Sequence, residues 1–308
     1  MKIVKNPDPK AVIKVPPNSR IPIETSDNMF THHGIVLVTG RRGSGKSIWT
    51  TNYLRLLKEE NKADRILVIS PTIESNKALL DSLDVQPEDV IDPDDPDATV
   101  KLKQEIEDER DEYESYLERK KKWKELQKLL KTHSVSIDQI DPYLLLEFAD
   151  ELGQLTPPVA KYKEQMKDGD RPPLLHVFID DCQSSGLFRD KKFLNAVIRH
   201  RHIGGLKAGG AVGCSLFICI QNLKAQQGGC PRAIRNNATQ MVIVGKNKDE
   251  QELKDIYGSI AGEVEYDQFE TAYNYATAEP HSSLVIDFHP KKTHPSRFRK
   301  NINEFICM

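Results

Sequence analysis

Residues 34 to 54 read GIVLVTGRRGSGKSIWTTNYL, an apolar run followed by a glycine-rich turn and then by helix-forming residues. The turn matches the pattern G-x-x-x-x-G-K-[ST] without a mismatch, from Gly40 to Ser47. Glycines in such a turn let backbone N–H groups curl around a phosphate, and the following helix adds the positive end of its dipole. The stretch therefore predicts a strand over 35–39, a phosphate-binding P-loop, and a helix over about 47–60.

The side chains at the end of this turn have defined chemical roles. Lys46 is expected to contact the β- and γ-phosphates, and the Ser47 hydroxyl is expected to bind Mg²⁺. The predicted nucleotide-binding residues are those of the whole turn: Gly40, Arg41, Arg42, Gly43, Ser44, Gly45, Lys46 and Ser47.

Length and composition limit the kind of protein to which such a loop could belong. The chain has 308 residues, 38% of them hydrophobic, which suits one large α/β domain with an insertion or two small domains. Its net charge of −2 indicates that any nucleic-acid site must be local. The N-terminus has no apolar leader segment, and the longest apolar run is about half a membrane span. Five cysteines without a C-x-x-C pair favour reduced thiols, so we expect an intracellular protein without a membrane span.

Composition along the chain predicts its organisation. Residues 1–30 are rich in proline and lysine and indicate an N-terminal arm, so the P-loop domain would span 31–308. Residues 86–172 would interrupt that domain as a charged helical insertion. The insertion begins with an acidic, proline-broken loop and continues as a helix over 100–131, whose apolar side chains form one narrow stripe. A second helical run, 142–152, is predicted to pack against this stripe.

Buried strands and helices alternate in the rest of the chain. Apolar runs at 174–182, 215–222 and 241–245 alternate with helical patterns at 191–202 and 250–258. The runs are too continuous for a sheet with one solvated face, so they predict a mostly parallel sheet with helices on both faces. The predicted fold is an α/β P-loop NTPase of the additional-strand, RecA-like type.

Two of these strands end in residues suited to nucleotide hydrolysis. Ligands of open α/β sheets gather at the carboxyl ends of the strands, where Asp180 and Asp181 follow one apolar run. Asp180 is expected to bind Mg²⁺ opposite Ser47, directly or through water, and Asp181 to act as general base toward the attacking water. Gln221 ends the next strand and would stand near the γ-phosphate.

The order of motifs resembles one family. GRRGSGKS, VFIDDC, RHRHIG, FICIQN and CPRAIRNNATQMVIVG follow one another as in the poxvirus-type genome-packaging ATPases of large eukaryotic DNA viruses, within the FtsK–HerA group of DNA-pumping motors. In that family an Arg-His pair follows the helix after the acids, a strand then ends in glutamine, and a proline-x-x-Ile-Arg-Asn segment precedes the next strand. The positions that match are Arg201, His202, Gln221, Pro231, Ile234, Arg235 and Asn236.

The resemblance implies a function and a set of partners. The protein would hydrolyse ATP, with Mg²⁺, to move double-stranded DNA into a viral capsid as a ring of five or six copies. It would contact capsid or portal-vertex components, in the host cytoplasm, in a virus factory or in the virion. The resemblance also implies an arginine finger that acts on the neighbouring subunit's site, for which Arg201 is the first candidate and Arg235 the second.

Three other functions remain as alternatives. A nucleotide or small-molecule kinase would need an arginine-rich lid over a phosphoryl acceptor, a role that the charged insertion could imitate. A GTPase would need the pattern D-x-x-G where the chain has DDCQ. A scaffold with an inactive P-loop would not need the catalytic residue types that are present here.

Overall fold

The structure, a computed structural model, describes residues 25–26, 28–72, 77–131, 140–154, 156–224, 229–246 and 249–308. The predicted N-terminal arm, residues 1–30, lies mostly outside these ranges. Within them, no helix combines the length and the apolar character needed to cross a membrane.

The described residues form a nine-stranded sheet with the order β3-β2-β4-β5-β1-β6-β7-β8-β9. The first six strands in this order are parallel, and β7, β8 and β9 are antiparallel. The strands are β1 (Ile35–Thr39), β2 (Arg65–Ile69), β3 (Val90–Ile91), β4 (Leu175–Ile179), β5 (Ser215–Ile220), β6 (Gln240–Val244), β7 (Ser283–Asp287), β8 (Phe298–Lys300) and β9 (Glu304–Phe305). The predicted mostly parallel sheet is confirmed.

Helices cover both faces of this sheet. They are α1 (Lys46–Glu59), α2 (Lys77–Ser82), α3 (Ala98–Lys131), α4 (Pro142–Glu147), α5 (Ala149–Gln154), α6 (Lys163–Lys167), α7 (Lys191–Arg199), α8 (Arg232–Arg235), α9 (Glu250–Tyr257) and α10 (Tyr266–Ala276). Successive residues of a strand point to opposite faces of the sheet. Val36 and Val38 of β1 therefore pack on the face that α1 covers, and Ile35 and Leu37 pack on the face that α3, α7 and α10 cover. The sheet is therefore buried on both sides.

The position of β5 in the sheet determines which strand ends lie close together. β5 pairs with β1 on one side and with β4 on the other, so an additional strand separates the P-loop strand from the acid-bearing strand, as predicted. We call the edge of the parallel sheet where strands end the carboxyl edge, and the edge where they begin the amino edge. The P-loop, Asp180 and Gln221 all follow strand ends, so they share the carboxyl edge.

The segment 86–172 is joined to the core more closely than an appended insertion would be. Val90–Ile91, inside the stretch predicted to be a loop, forms a short parallel strand beside β2. Leu102 and Ile106 of α3 are buried in the main core. Arg65, the first residue of β2, forms ion pairs with Glu105 and Glu109 of the same helix. The extent of the insertion stays a prediction, and its first third packs with the main core through β3 and the start of α3.

Beyond Glu109, α3 extends past the amino edge. The helix has 34 residues and is about 50 Å long at the usual rise per residue. Trp123 and Leu126 pack on Phe148 between α4 and α5, so the second helical run packs against the apolar stripe as predicted, although it is divided at Phe148. Leu130, an apolar residue predicted to belong to this stripe, is 41% exposed. We call α3 from Arg110 onward, with α4 and α5, the helical projection.

A buried histidine pair lies near the amino edge. His176 of β4 is 1% exposed, and its ring lies 5.8 Å from that of His32. Its Nε2 donates to the Lys62 carbonyl at 2.8 Å, and Nδ1 has no partner among the described residues. Burial lowers the pKa of His176 to about 4 and that of His32 to about 2, the latter helped by the nearby His176, His33, Arg171 and Lys62. Both rings are therefore neutral at pH 7.

We expect acid to destabilise the fold through His176. A lowered folded-state pKa means that the unfolded chain binds the proton more readily, so this contribution is complete above pH 6.5 and is lost as the pH falls from 6.5 toward 4. Between pH 7 and pH 5 the loss should be about 2 kcal/mol for this group. Urea unfolding at both pH values measures it. His176→Gln, which retains a donor for the Lys62 carbonyl, should reduce the pH dependence by that amount, and an unchanged dependence would contradict the assignment.

Candidate nucleotide site

The P-loop is a tight turn that only glycine can build at two of its positions. Gly45, directly before α1, has φ = +103°, a conformation that other L-residues rarely adopt. A Cβ on Gly40 would lie 2.7 Å from the Val244 carbonyl oxygen of β6, so only glycine fits there. The turn thereby presents the free N–H groups of the first turn of α1 at the carboxyl edge. This geometry suits binding of a phosphate group.

Lys46 lies over the opening of the turn. Its Nζ donates to the carbonyl oxygens of Gly40 at 2.9 Å and Arg41 at 3.2 Å. The ammonium group is thus on the side where a phosphate chain bound by the turn would lie. The side chains of Arg41 and Arg42 are exposed.

Ser47 and Asp180 meet across the additional strand. The Ser47 Oγ donates to Oδ2 of Asp180 at 2.7 Å, although β1 and β4 are not neighbours in the sheet. Asp180 is 5% exposed, and burial raises the pKa of its carboxyl while the Ser47 hydrogen bond and the Lys46 charge oppose that rise. A hydroxyl and a carboxylate oxygen at this separation are the hard ligands that Mg²⁺ prefers. The residues present therefore fit a magnesium ion at this point.

Asp181 and Gln221 are also brought together. Asp181 has φ = +54°, which turns the chain out of the direction of β4 and leaves this side chain exposed beside the buried Asp180. The Gln221 Nε2 donates to Oδ1 of Asp181 at 3.0 Å. The amide of Gln183 accepts from the backbone N–H groups of Gln221 and of Asn222. Asp180 is thus buried on the side of the site where Lys46 lies. Asp181 faces solvent, and its hydrogen bond with Gln221, just after β5, sets the orientation of its carboxylate.

Sequence reasoning did not identify two residues of this edge. Gln183 connects the turn after Asp181 to the end of β5, and a lone glutamine gave no sequence signal for that role. His281, in the turn before β7, donates from Nδ1 to the Ser44 carbonyl at 2.9 Å. It also lies against Gly45, where a Cβ would be 3.3 Å from Nδ1. Its part in supporting the P-loop depends on the antiparallel strand β7, which the sequence analysis did not assign.

The two candidate arginine fingers lie elsewhere in the subunit. Arg201 belongs to the short helix His200–His202, where Nε2 of His200 is 2.9 Å from the His33 carbonyl just before β1. Arg201 is therefore at the amino edge. Arg235 ends α8, ahead of the amino end of β6, and lines a separate cavity of about 620 Å³. Five of the predicted catalytic and metal-binding residues are together, namely Lys46, Ser47, Asp180, Asp181 and Gln221, and the two arginines are apart from them.

The loop, the acid-bearing strand and the intervening β5 together define the class of fold. It is a P-loop NTPase fold. No protein-family model matches the chain, and no curated protein matches it.

Several solved structures are similar in fold. The genome packaging NTPase B204 from Sulfolobus turreted icosahedral virus 2, in complex with ATP-gammaS, is 13% identical at a TM-score of 0.44, over 87% of this chain and 96% of that one. VirB4 of Thermoanaerobacter pseudethanolicus is 14% identical at a TM-score of 0.38, over 82% and 86%. EssC (ATPases 2 and 3) from Geobacillus thermodenitrificans is 12% identical at 0.40, over 88% and 40%. A viral genome-packaging NTPase is thus among the structures that the chain resembles in fold. At these scores, function must be argued from the site itself.

Proposed function

We propose that this protein is a Mg²⁺-dependent ATPase that moves double-stranded DNA during packaging of a viral genome into a capsid. The observation that supports hydrolysis is the contact of Ser47 with Asp180 across β5, with the Asp181–Gln221 pair beside it. One edge of the sheet therefore brings together a glycine-rich loop, a hydroxyl and a carboxylate that could serve as metal ligands, and a second carboxylate that faces solvent.

Each residue has a distinct part in the proposed reaction. The N–H groups of the P-loop and the Lys46 ammonium would bind the phosphates, and Ser47 and Asp180 would hold Mg²⁺, which would supply positive charge to neutralise them. Asp181 accepts a proton from the attacking water, and the amide of Gln221 keeps that carboxylate in place.

The DNA part of the proposal rests on the order of motifs in the sequence and on exposed cations of α7. Lys191, Lys192 and Arg199 are all exposed on this helix, and Lys207 is exposed in the glycine-rich segment that follows. We assign this surface to the phosphates of the duplex. Capsid or portal components and further copies of the chain are the other proposed partners.

The structure does not favour the alternative kinase function. A kinase lid would have to close over the phosphate loop, at the carboxyl edge. The helical projection extends from the amino edge, at the opposite end of the strands, because Glu109 already contacts Arg65, the first residue of β2. Tyr113 then donates to the Asp170 carbonyl, shortly before β4 begins. The helical projection is therefore not placed to serve as that lid.

We expect long duplex DNA to stimulate ATP hydrolysis. The DNA concentration that gives half of the stimulation should rise on the order of 10³-fold between 50 and 200 mM salt, because each phosphate contact releases counterions. Steady-state phosphate release with and without DNA measures both effects. Lys192→Glu combined with Arg199→Glu should abolish the stimulation, whereas Lys121→Glu with Lys124→Glu, an equal charge change on the projection, should preserve it. Hydrolysis that ignores DNA at every salt concentration would contradict the motor function.

The proposed ring predicts that mixed subunits complement each other. Arg201 is at the amino edge of its own subunit, so it could act on a γ-phosphate only in a neighbour's site. Arg201→Ala chains should bind ATP but hydrolyse it slowly, and mixing them with Lys46→Ala chains should restore part of the activity at some interfaces. Steady-state rates across mixing ratios at fixed total protein provide the test. If every ratio stays at the parental level, Arg235 becomes the candidate, and the same failure with Arg235→Ala would rule out a trans-acting arginine.

A further inference from the structure

The cavity that Arg235 lines is separate from the nucleotide site. Its volume is about 620 Å³, within the range of small-molecule pockets. Its walls come from the turn after β5, from α8 and the residues that follow it, from β6, from α9 and from the turn after β7. The described lining includes no residue of the P-loop and none of Asp180, Asp181 and Gln221. The proposed ATPase function therefore leaves this space without a role.

The charged side chains of the cavity are mostly cations. Lys224, Arg235 and Lys254 line it, and the turn after β7 adds the exposed imidazole of His289. Asp255 is the one acid among the described lining residues, and it is already paired, because Nζ of Lys224 lies 2.6 Å from its Oδ1. The charges of Arg235 and Lys254 are therefore not compensated within the described lining. This balance favours an anionic ligand.

Arg235 is oriented by a hydrogen bond within its own segment. Its Nε donates to the Cys230 carbonyl at 3.1 Å, and the residue is partly buried. The hydrogen bond from Nε leaves the two terminal nitrogens of the guanidinium to donate to a ligand. A guanidinium that is already oriented loses little side-chain entropy when it binds the paired oxygens of a carboxylate or a phosphate. The geometry of Arg235 therefore suits an oxyanion.

Apolar side chains form another part of the lining. Leu223 and Met241 are 2% and 1% exposed, and the partly buried Phe288 lines the same cavity. An inorganic phosphate ion would contact the cations but would leave these apolar side chains uncovered. A ligand that satisfies both parts of the lining has an oxyanion attached to an apolar body.

We propose that this cavity binds a small organic phosphate monoester, with its phosphate on Arg235 and Lys254 and its apolar body against Phe288 and Met241. A phosphate monoester carries close to two negative charges at pH 7, which matches the two uncompensated cations, whereas a carboxylate carries one. The site is distinct from the nucleotide site, so the proposal does not depend on the proposed ATPase function.

Phenyl phosphate, which joins a phosphate monoester to a flat apolar ring, is the probe for this site. Isothermal titration should show that wild-type protein binds it at least about 10-fold more tightly than inorganic phosphate, which lacks the ring. It should also bind it about 10-fold more tightly than benzoate, which has the ring and only one negative charge. If phenyl phosphate has the same affinity as either of the other two ligands, the assignment to an organic phosphate monoester is overturned.

Charge variants locate the binding. Arg235→Gln and Lys254→Gln should each lower the affinity for phenyl phosphate on the order of 10-fold, because each removes a hydrogen bond between charged groups. Lys124→Gln, which removes an exposed charge of α3, is the matched control and should retain wild-type affinity. Thermal unfolding confirms that each variant is folded. Wild-type affinity in both cavity variants would overturn the proposal. Binding that depends on Lys46 instead would also overturn it, because the ligand would then lie in the P-loop.

An aromatic variant tests the apolar contact. Phe288→Ala should reduce the affinity for phenyl phosphate to nearly that for inorganic phosphate, because the ring of the ligand loses its aromatic neighbour. Its affinity for inorganic phosphate should stay unchanged, which shows that the cations of the cavity are still in place. Tyr143→Ala, at an aromatic residue of α4 that is 82% exposed, is the matched control. A full preference for phenyl phosphate in Phe288→Ala would contradict the proposed position of the apolar body.

Discussion

Lys46→Ala should abolish ATP hydrolysis while the protein remains folded. The Nζ of Lys46 donates to the Gly40 and Arg41 carbonyls of its own loop, so its removal costs the fold little. It does remove the positive charge nearest to the phosphate chain, and loss of one such preorganised group lowers the rate by about 10²- to 10³-fold. Loss of ground-state phosphate binding adds to this effect. Steady-state phosphate release at saturating Mg²⁺–ATP is the measurement.

Arg55→Ala is the matched control for this variant. Arg55 is an exposed cation of the same helix α1, paired with Glu59 at 3.7 Å, and it lies two turns beyond the P-loop. Its replacement removes the same charge and should leave hydrolysis unchanged. Thermal unfolding of both variants should match that of the wild type. Full activity in Lys46→Ala would show that the P-loop does not serve hydrolysis.

Asp181→Asn should leave ATP bound and slow its hydrolysis by about 10²- to 10⁴-fold, the usual contribution of a general base. Asp180→Asn should instead weaken Mg²⁺-dependent nucleotide binding. The physical reason for the difference is geometric: Asp180 is buried against Ser47, whereas the left-handed backbone at Asp181 turns its carboxylate outward to Gln221. Nucleotide affinity and single-turnover rate, measured separately, distinguish the two effects.

The neighbouring amide and a distant acid provide controls. Gln221→Ala removes the hydrogen bond to Asp181 and should slow hydrolysis less than Asp181→Asn, because the carboxylate remains. Asp267→Asn, at the exposed start of α10, should have no effect on either measurement. Normal turnover in Asp181→Asn would place the base elsewhere.

Local sequence patterns predicted most of the residues that meet at the carboxyl edge. The glycine spacing of the P-loop, the apolar runs that became β4 and β5, and the polar residues at their ends all depend on short-range chemistry, and the structure brings these ends together. The position of β5 between β1 and β4 followed from the type of fold rather than from the strand's own residues. The roles of the individual side chains stay predictions until the variants are measured.

Other features depend on contacts between distant segments, which a single sequence does not reveal. Val90–Ile91 is only two residues long and lies among prolines and aspartates, so its strand character comes from pairing with β2. The antiparallel strands β7, β8 and β9 and the helix α10 were not assigned. His281 and Asn301 therefore had no predicted place.

The helical projection and the nucleotide site occupy opposite edges of one rigid sheet, and this separation has an evolutionary consequence. The chain leaves the core beyond Glu109 and returns at β4, both at the amino edge. Substitutions on the exposed surface of the helical projection, away from the buried Arg171–Asp64 pair that joins the returning chain to the core, would leave the phosphate-binding residues in place. Selection can therefore adapt the projection to a new binding partner while the hydrolytic chemistry is inherited unchanged.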